Sequence, residues 1–426
     1  MSTMNPEFRR NLWLELTPTR LVIMPLVVGL LLALGWMWGE AEGLSAVGTT
    51  AGWVILVLWG TRLAADGVAA EVQGKTWDSQ RLSGIGPVAM TVGKLFGATA
   101  YAWFGGLMCI VAIFAVGGMA SDPLGPLRLL VTALFAQAVA LWFTLVQVRL
   151  GTGLRRFQVL LAQVVGIIAS VQLTPLFEYA KLDIGWYGVD FPGDGFALFF
   201  TAVMTFWAWI ACWRLLRADF LYRNWPLAFV AFLIFIAVYT EGLAPGTFPR
   251  LEWLISGAIS YHLMVAAVWI AALIEPKSVV QLRRLLERLR RRDLSGFLSD
   301  LPCAVAGLPV VVLAGLFTLS QQPSVVNLGP QLLAVFLFLI RDMLLVQYVV
   351  LGPRARRGHT AAVIYLLVLY GLVPALLQAG GAVQLIPAFL PATVINATIG
   401  VIGPLIQVGI FAFLLSTRLV ALRARA

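Results

Sequence analysis

The 426 residues are 60% hydrophobic and only 12% charged, whereas soluble globular domains carry about 25% charged residues. That balance excludes a soluble fold. The net charge of +10 is expected to hold loops in the cytoplasm rather than to bind nucleic acid.

The predicted fold class is all-α integral membrane. Runs of about 20 apolar residues, the length that spans a bilayer, fill the chain, and alternating strand patterns are absent. Lipid forces each segment to satisfy its own backbone, so helices follow. Cys109, Cys212 and Cys303 lie in or beside apolar runs and read as packing residues, not as a metal site or disulfide framework. The first apolar run has no small-residue cleavage site after it and reads as a retained span.

The chain opens with a helix signal. Asn5 is placed as a cap, Pro6 at the first helical position and Glu7 in the first turn, and Pro18 ends the helix. Phe8, Leu12 and Leu16 share one face beside Trp13, so the spacing predicts an amphipathic helix lying in the cytoplasmic interface. Spans are expected at Leu21–Trp38, Val47–Leu63, Leu95–Ala115, Leu129–Val148, Val159–Phe177, Phe196–Trp213, Trp225–Leu243, Leu254–Ile274, Cys303–Leu319, Gln331–Leu351, Ala361–Gln378 and Asn396–Leu415, twelve in all.

Charge supports that count. With the N-terminus inside, 26 of the 30 Lys and Arg residues fall on the cytoplasmic side. Only Arg128, Lys181 and Arg250 lie opposite, and Arg341 lies within a span. Both termini are thus expected in the cytoplasm. Long cytoplasmic loops follow spans two and eight (Ala64–Lys94 and Glu275–Pro302), and long outer loops precede spans six and twelve (Glu178–Gly195 and Ala379–Ile395). The recurrence suggests two six-span halves, 1–224 and 225–426, as in transporters built from parallel repeats.

The loop after span two contains Gly74-Lys75-Thr76, the end of a phosphate-binding loop. The full motif G-x-x-x-x-G-K-[ST] needs a glycine at position 69, where Ala69 stands, and a strand before it. A nucleotide site is therefore not expected here. The mixed charge predicts a short cytoplasmic helix with Trp77 and Leu82 free to dock into a partner.

The N-terminal helix, the first six spans, and this loop together carry a resemblance. E-x-x-x-x-T-W-x-x-x-R-L (Glu71, Thr76, Trp77, Arg81, Leu82) followed by Gly93-Lys94-Leu95, with an enlarged outer loop before span six, is similar to the permease subunits of the ABC-2 class of ABC transporters. The resemblance covers residues 1–224; the second half lacks the Thr-Trp motif. It implies that Glu71, Lys75, Thr76, Trp77, Asp78, Arg81 and Leu82 form a coupling helix for a cytoplasmic ATP-binding subunit, in two copies. It also implies that ATP and magnesium bind that partner, with no cofactor on this chain. No soluble stretch reaches the hundred or more residues that an ATPase domain needs.

After span eight, Leu282, Leu285, Leu286 and Leu289 form one helical face, and Arg283, Arg284, Arg288 and Arg290 to Arg292 cover the rest. This reads either as a helix on anionic membrane lipid or as a second coupling helix. Within spans, Arg341-Asp342 is expected to face the bundle interior as a polar clasp or a substrate contact. As neighbours on a helix they should point apart, each pairing with another span. His262 reads as a hydrogen-bonded core residue, and Arg62 and Glu275 as span-end residues that snorkel. Gly93 and Gly97 form a G-x-x-x-G that permits close helix packing.

The function expected is a permease in the cytoplasmic (inner) membrane, driven by a separate ATPase and carrying no nucleotide site of its own. The largely apolar, aromatic spans hint at hydrophobic cargo. A twelve-span transporter driven by an ion gradient and a membrane enzyme acting on lipid-linked substrates are the alternatives. The first would favour further membrane carboxylates, and Asp342 is nearly alone. The second has only the acidic outer loop with Glu178, Asp183, Asp190 and Asp194.

Overall fold

The computed structural model describes residues 5–117, 124–151, 156–172, 183–243, 252–322, 327–352, 358–391 and 395–424. The basic groups Arg354, Arg356 and Arg357, and Glu178, Lys181 and Arg250 of the outer loops, lie outside the described residues. The fold is all-α and of membrane type. Eight described helices are long and apolar enough to cross a bilayer, or nine if a bent pair counts as one span. The described parts of all twelve predicted apolar segments fall on helices, but Arg156–Val171 and Leu227–Gly242 are short for a crossing.

By internal contacts the chain divides into two units, Met1–Ile184 with Asp190–Asn224, and Gly185–Val189 with Trp225–Ala426. In the first unit α1 (Pro6–Glu15) is followed by α2 (Pro18–Trp53). Helix α2 breaks at Gly39 and Glu40, where Glu40 takes a left-handed φ of 53°. The limbs fold back on each other: a methyl on Gly43 would lie 2.2 Å from the Gly35 carbonyl oxygen. Spans one and two are therefore a hairpin, and its second limb runs on through a π-helical turn, Val54–Trp59, into α3 (Gly60–Gln73).

Next come α4 (Trp77–Arg81), α5 (Pro87–Val92), a second π-helical turn at Gly93–Gly97, and α6 (Ala100–Ala115). The third span is bent by 53° between Gly97 and Ala100. The unit closes with α7 (Gly125–Arg149), α8 (Arg156–Val171) and α9 (Gly193–Asp219). Helix α7 is central and packs on α3, α8 and α9. Its buried face carries Ala133, Ala136, Ala140, Leu141 and Leu145, and the small residues let neighbours approach: a methyl on Gly166 of α8 would sit 2.6 Å from the Ala136 carbonyl oxygen.

A β-hairpin, β1 (Ile184–Trp186) and β2 (Val189–Phe191), lies in the acidic outer loop before α9. Tyr187 and Gly188 both have positive φ, as a tight two-residue hairpin turn requires. Within the second unit Tyr187 donates from its hydroxyl to the Val238 carbonyl (2.7 Å) and Trp186 from its indole to Tyr239 (3.2 Å).

The second unit contains α10 (Leu227–Gly242), α11 (Glu252–Ile274), α12 (Val279–Arg290), α13 (Leu294–Asp300), α14 (Cys303–Ser320), α15 (Gly329–Val350), α16 (Gly358–Leu367), a third π-helical turn (Val368–Leu372), α17 (Val373–Ala379) and α18 (Ala397–Ala424). Here α15 is central and packs on α11, α16 and α18. In both units the fourth apolar segment thus touches the second, fifth and sixth. Outward faces are apolar, with Leu30, Trp38, Leu313 and Phe413 exposed.

Candidate functional site

The sequence predicts the ends of α1 correctly but not its inner face. Asn5 caps it, accepting from the Glu7 and Phe8 amides. The residues it buries are Glu7 and Asn11, one turn apart, whereas Trp13 and Leu14 are exposed. The apolar stripe of Phe8, Leu12 and Leu16 is only half-buried, with Leu16 packed on the cluster around Met24, Val28 and Tyr101, and the fully buried face is the polar one. The reason lies opposite, at Gly93 and Gly97. A methyl on Gly93 would fall 2.5 Å from Glu7 Cγ, and one on Gly97 2.8 Å from Asn11 Cβ. The G-x-x-x-G seats α1 itself, and Asn11 Nδ2 donates to the Gly93 carbonyl (3.1 Å).

Between those glycines stands Lys94, with no exposure at all. Its ammonium contacts Glu7 Oε1 at 2.8 Å and Glu71 Oε2, and donates to the Gly67 carbonyl at 3.2 Å. Arg10 reaches Glu71 at 2.8 Å and Glu7 at 3.1 Å, and Gln80 Nε2 donates to Glu71 at 2.5 Å. One buried cation thus ties α1, α3 and the third span together, and Gln80 adds α4. Burial alone would raise the pKa of Glu7, but the charges of Lys94 and Arg10 and the Asn11 hydrogen bond outweigh it and hold the carboxyl below its ordinary 4.5. Removing one partner from such a cluster costs about 3–5 kcal/mol, because charge is left buried and uncompensated.

The Gly-Lys-Thr triplet is the turn that ends α3. Lys75 N–H donates to the Val72 carbonyl (3.2 Å) and Thr76 N–H to the Glu71 carbonyl (2.9 Å), with Lys75 left-handed at φ 57°. This is a Schellman closure. A helix, not a strand, precedes it. The closure explains the spacing from Glu71 to Thr76: they are the first and last of the six residues in that hydrogen-bonded turn.

Trp77 is not free to dock, which corrects the expectation for it. It is 6% exposed and packs among Val68, Met90, Leu141, Leu145 and Leu216. Arg81 donates twice to the Asp219 carbonyl at the end of α9 (2.8 and 3.1 Å) and pairs with Asp78 (3.2 Å). What remains outward is Lys75, Thr76, Asp78, Arg81 and Leu82, with Leu82 87% exposed.

A second polar centre sits inside the second unit. Arg341 and Asp342 do not point apart: Arg341 Nε donates to Asp342 Oδ1 at 2.7 Å. The guanidinium also lies against the rings of Phe338 and Tyr370, at 4.6 and 4.7 Å from their centroids. Each residue also reaches another helix, as expected. Asp342 accepts from Trp269 Nε1 (2.9 Å) and the Tyr370 hydroxyl (2.7 Å), and Arg341 donates to Gln407 (3.0 Å). Both are buried, so the pair clasps α11, α15, α18 and the π-helical turn that carries Tyr370.

Sequence reading missed the counterpart in the first unit. Gln137, fully buried in α7, accepts from Trp103 Nε1 (3.1 Å) and donates to the Leu56 carbonyl (2.8 Å). That carbonyl lies in the first π-helical turn, as does Leu58, whose carbonyl accepts from Gln163 (2.8 Å). Among the described residues, all three π-helical turns thus supply a group to a polar contact between helices, consistent with the frequent placement of such turns at functional sites.

The remaining residues fall as follows. His262 hydrogen-bonds the Ala258 carbonyl of its own helix (2.7 Å). Glu275 does not snorkel; it accepts from the Cys303 and Ala304 amides (2.6 and 3.3 Å) and caps α14. Helix α12 buries none of its residues: Leu286 and Leu289 are exposed, and Leu282 and Leu285 half-buried. Arg283 donates to the Leu422 carbonyl (3.3 Å), and Arg288 holds α13 through Asp300 (3.2 Å) and Ser299 (2.9 Å). No family model, curated protein or solved structure matches the chain.

Two predictions follow from the Lys94 cluster. Lys94→Met frees α1, so that trypsin cuts at Arg9 and Arg10 in folded protein where the unchanged chain resists; equal resistance contradicts the cluster's role. Because the pKa of folded Glu7 is depressed, its contribution is complete above the ordinary value of 4.5 and is lost as pH falls below that value and through the folded pKa. Amide exchange over Phe8–Glu15 should therefore accelerate on acidification in that window. Exchange independent of pH, after correction for intrinsic rates, contradicts it.

Proposed function

We propose that this chain is the membrane permease of an ATP-driven transporter of the ABC-2 kind. In this reading it crosses the cytoplasmic membrane twelve times in two six-span halves, with both termini in the cytoplasm. A separate ATP-binding subunit, in two copies, docks on the turn between α3 and α4 and binds the ATP and magnesium. The carrying observation is the cluster at Lys94. The residues of the resemblance, Glu71, Thr76, Trp77, Arg81 and Gly93-Lys94, all belong to one linked assembly rather than to scattered loops. The shared helix order of the two units supports the two-half layout.

The geometry gives a route for force. A motor subunit pushes on the exposed tip, Lys75, Asp78 and Leu82. Trp77 anchors that tip among α3, α7 and α9, and the Arg81 contact ties it to the end of α9. Glu71 and Gln80 pass the displacement to Lys94, and so to the bent third span and α1. Trp77, Glu71 and Lys94 are buried, and Glu71 and Lys94 are charge-paired, so the tip moves with them.

The test separates docking from folding. Leu82→Asp and Lys75→Glu should leave the chain folded and reduce, by about tenfold or more, both co-purification of an ATP-binding subunit and its stimulated ATPase activity. Trp77→Ala should instead lower the stability of the chain itself. Unchanged assembly and activity in the Leu82 and Lys75 variants, or ionophore-sensitive transport with no ATPase present, contradicts the reading.

A further inference from the structure

Helix α12 differs from the other connecting segments in what it leaves uncovered. Trp77, the large apolar residue of the loop after span two, is buried. On α12 the apolar side is only partly covered: Leu282 and Leu285 are half-buried, Leu286 and Leu289 are exposed, and Leu294 and Leu298 of α13 are exposed as well. Arg283 and Arg290 line one edge of that leucine face at helical spacing, and Arg284 and Arg291 lie farther round. Among the described residues Arg284, Arg290 and Arg292 have no ion pair, while Glu287 pairs with Arg291 (2.7 Å).

The position of α12 is also fixed. Glu275, one residue past the end of α11, caps α14 through the Cys303 and Ala304 amides. Both ends of the 276–302 excursion are thus pinned at the same depth, at the ends of two apolar helices. Arg283 bonds the backbone of α18 near its end, at Leu422. The helix is held where apolar helices end, with Leu286 and Leu289 exposed and Arg284, Arg290 and Arg292 without an ion pair among the described residues.

We propose that α12 is a lipid-docking helix whose partner is an anionic phospholipid surface, the leucine face entering the acyl boundary and the flanking guanidinium groups engaging headgroup phosphates. Charge complementarity selects this occupant. A face with an apolar stripe and arginines at its edges matches the layered apolar and anionic structure of a leaflet, and each arginine near such a surface contributes about 1 kcal/mol. Docking would fix the base of α11 and α14, whose ends Glu275 joins. The inference does not depend on what the chain transports.

The experiment uses the full chain with Cys303→Ser and Leu289→Cys, in nanodiscs of phosphatidylcholine alone or mixed with phosphatidylglycerol. The other two cysteines are buried. The reaction rate of Cys at position 289 with a water-soluble maleimide should fall about tenfold or more in the anionic discs. Raised ionic strength should restore it. Combined Arg283→Gln, Arg284→Gln and Arg290→Gln changes should weaken docking by about a hundredfold and abolish the protection. Equal rates in both discs overturn the proposal, as does protection that appears only when an ATP-binding subunit is added. If the triple variant fails to fold, the salt dependence of the unchanged helix decides.

Discussion

A lysine with no exposed surface must be compensated where it stands, and Lys94 organises much of the first unit around that requirement. Its ammonium is met by two carboxylates from different helices and by a backbone carbonyl. Glu7 comes from α1 and Glu71 from α3, so neither helix can leave without exposing the others to uncompensated charge. The glycines on either side of Lys94 follow from the same constraint. Only residues without a Cβ bring the backbone of α1 close enough for Glu7 to reach the cation. Replacing such a cluster by apolar residues is often neutral or stabilising, so its presence argues for a defined register rather than for stability as such.

The same device recurs deeper in each unit with different chemistry. The central helix of the first unit carries Gln137, and that of the second carries Arg341 and Asp342. Gln137 and Arg341 each stand at the thirteenth position of their helices, α7 and α15. In both cases an indole from a neighbouring helix donates to the hub: Trp103 to Gln137 and Trp269 to Asp342. In both, a π-helical turn faces it, offering the Leu56 carbonyl in one unit and the Tyr370 hydroxyl in the other. Such turns interrupt the regular backbone ladder and so free groups for contacts between helices. Two units with little residue similarity can therefore share a plan, since the plan requires a buried polar hub and a local irregularity, not a particular side chain.

Hydropathy made the helical framework legible, because each span must be apolar to be in lipid at all. The cap at Asn5 and the stop at Pro18 were legible for local reasons. The inner face of α1 was not: a hydrophobic stripe was visible, but nothing local shows that Glu7 and Asn11 meet two glycines more than eighty residues on. Trp77 was misread because an aromatic residue in a polar loop looks like a docking residue until the core beneath it is seen. Arg341 and Asp342 were expected to diverge because adjacent helical residues do, but the long arginine side chain turns back to bond its neighbour while still reaching Gln407 on another helix. Gln137 gave no signal, being one uncharged polar residue in an apolar run. The missed hairpin at Ile184–Phe191 is short, and its turn uses a tyrosine in a conformation that glycine and asparagine usually take.

The central claim is that α1, the α3–α4 turn and the third span form one body around Lys94. Spin labels at the exposed positions Leu14 and Leu82 measure this directly in the reconstituted chain, by the distance distribution between them. The account predicts one narrow distribution in the unchanged background and a broad one when Lys94 is replaced by methionine. A broad distribution in the unchanged background, or one indifferent to the loss of Lys94, would contradict it.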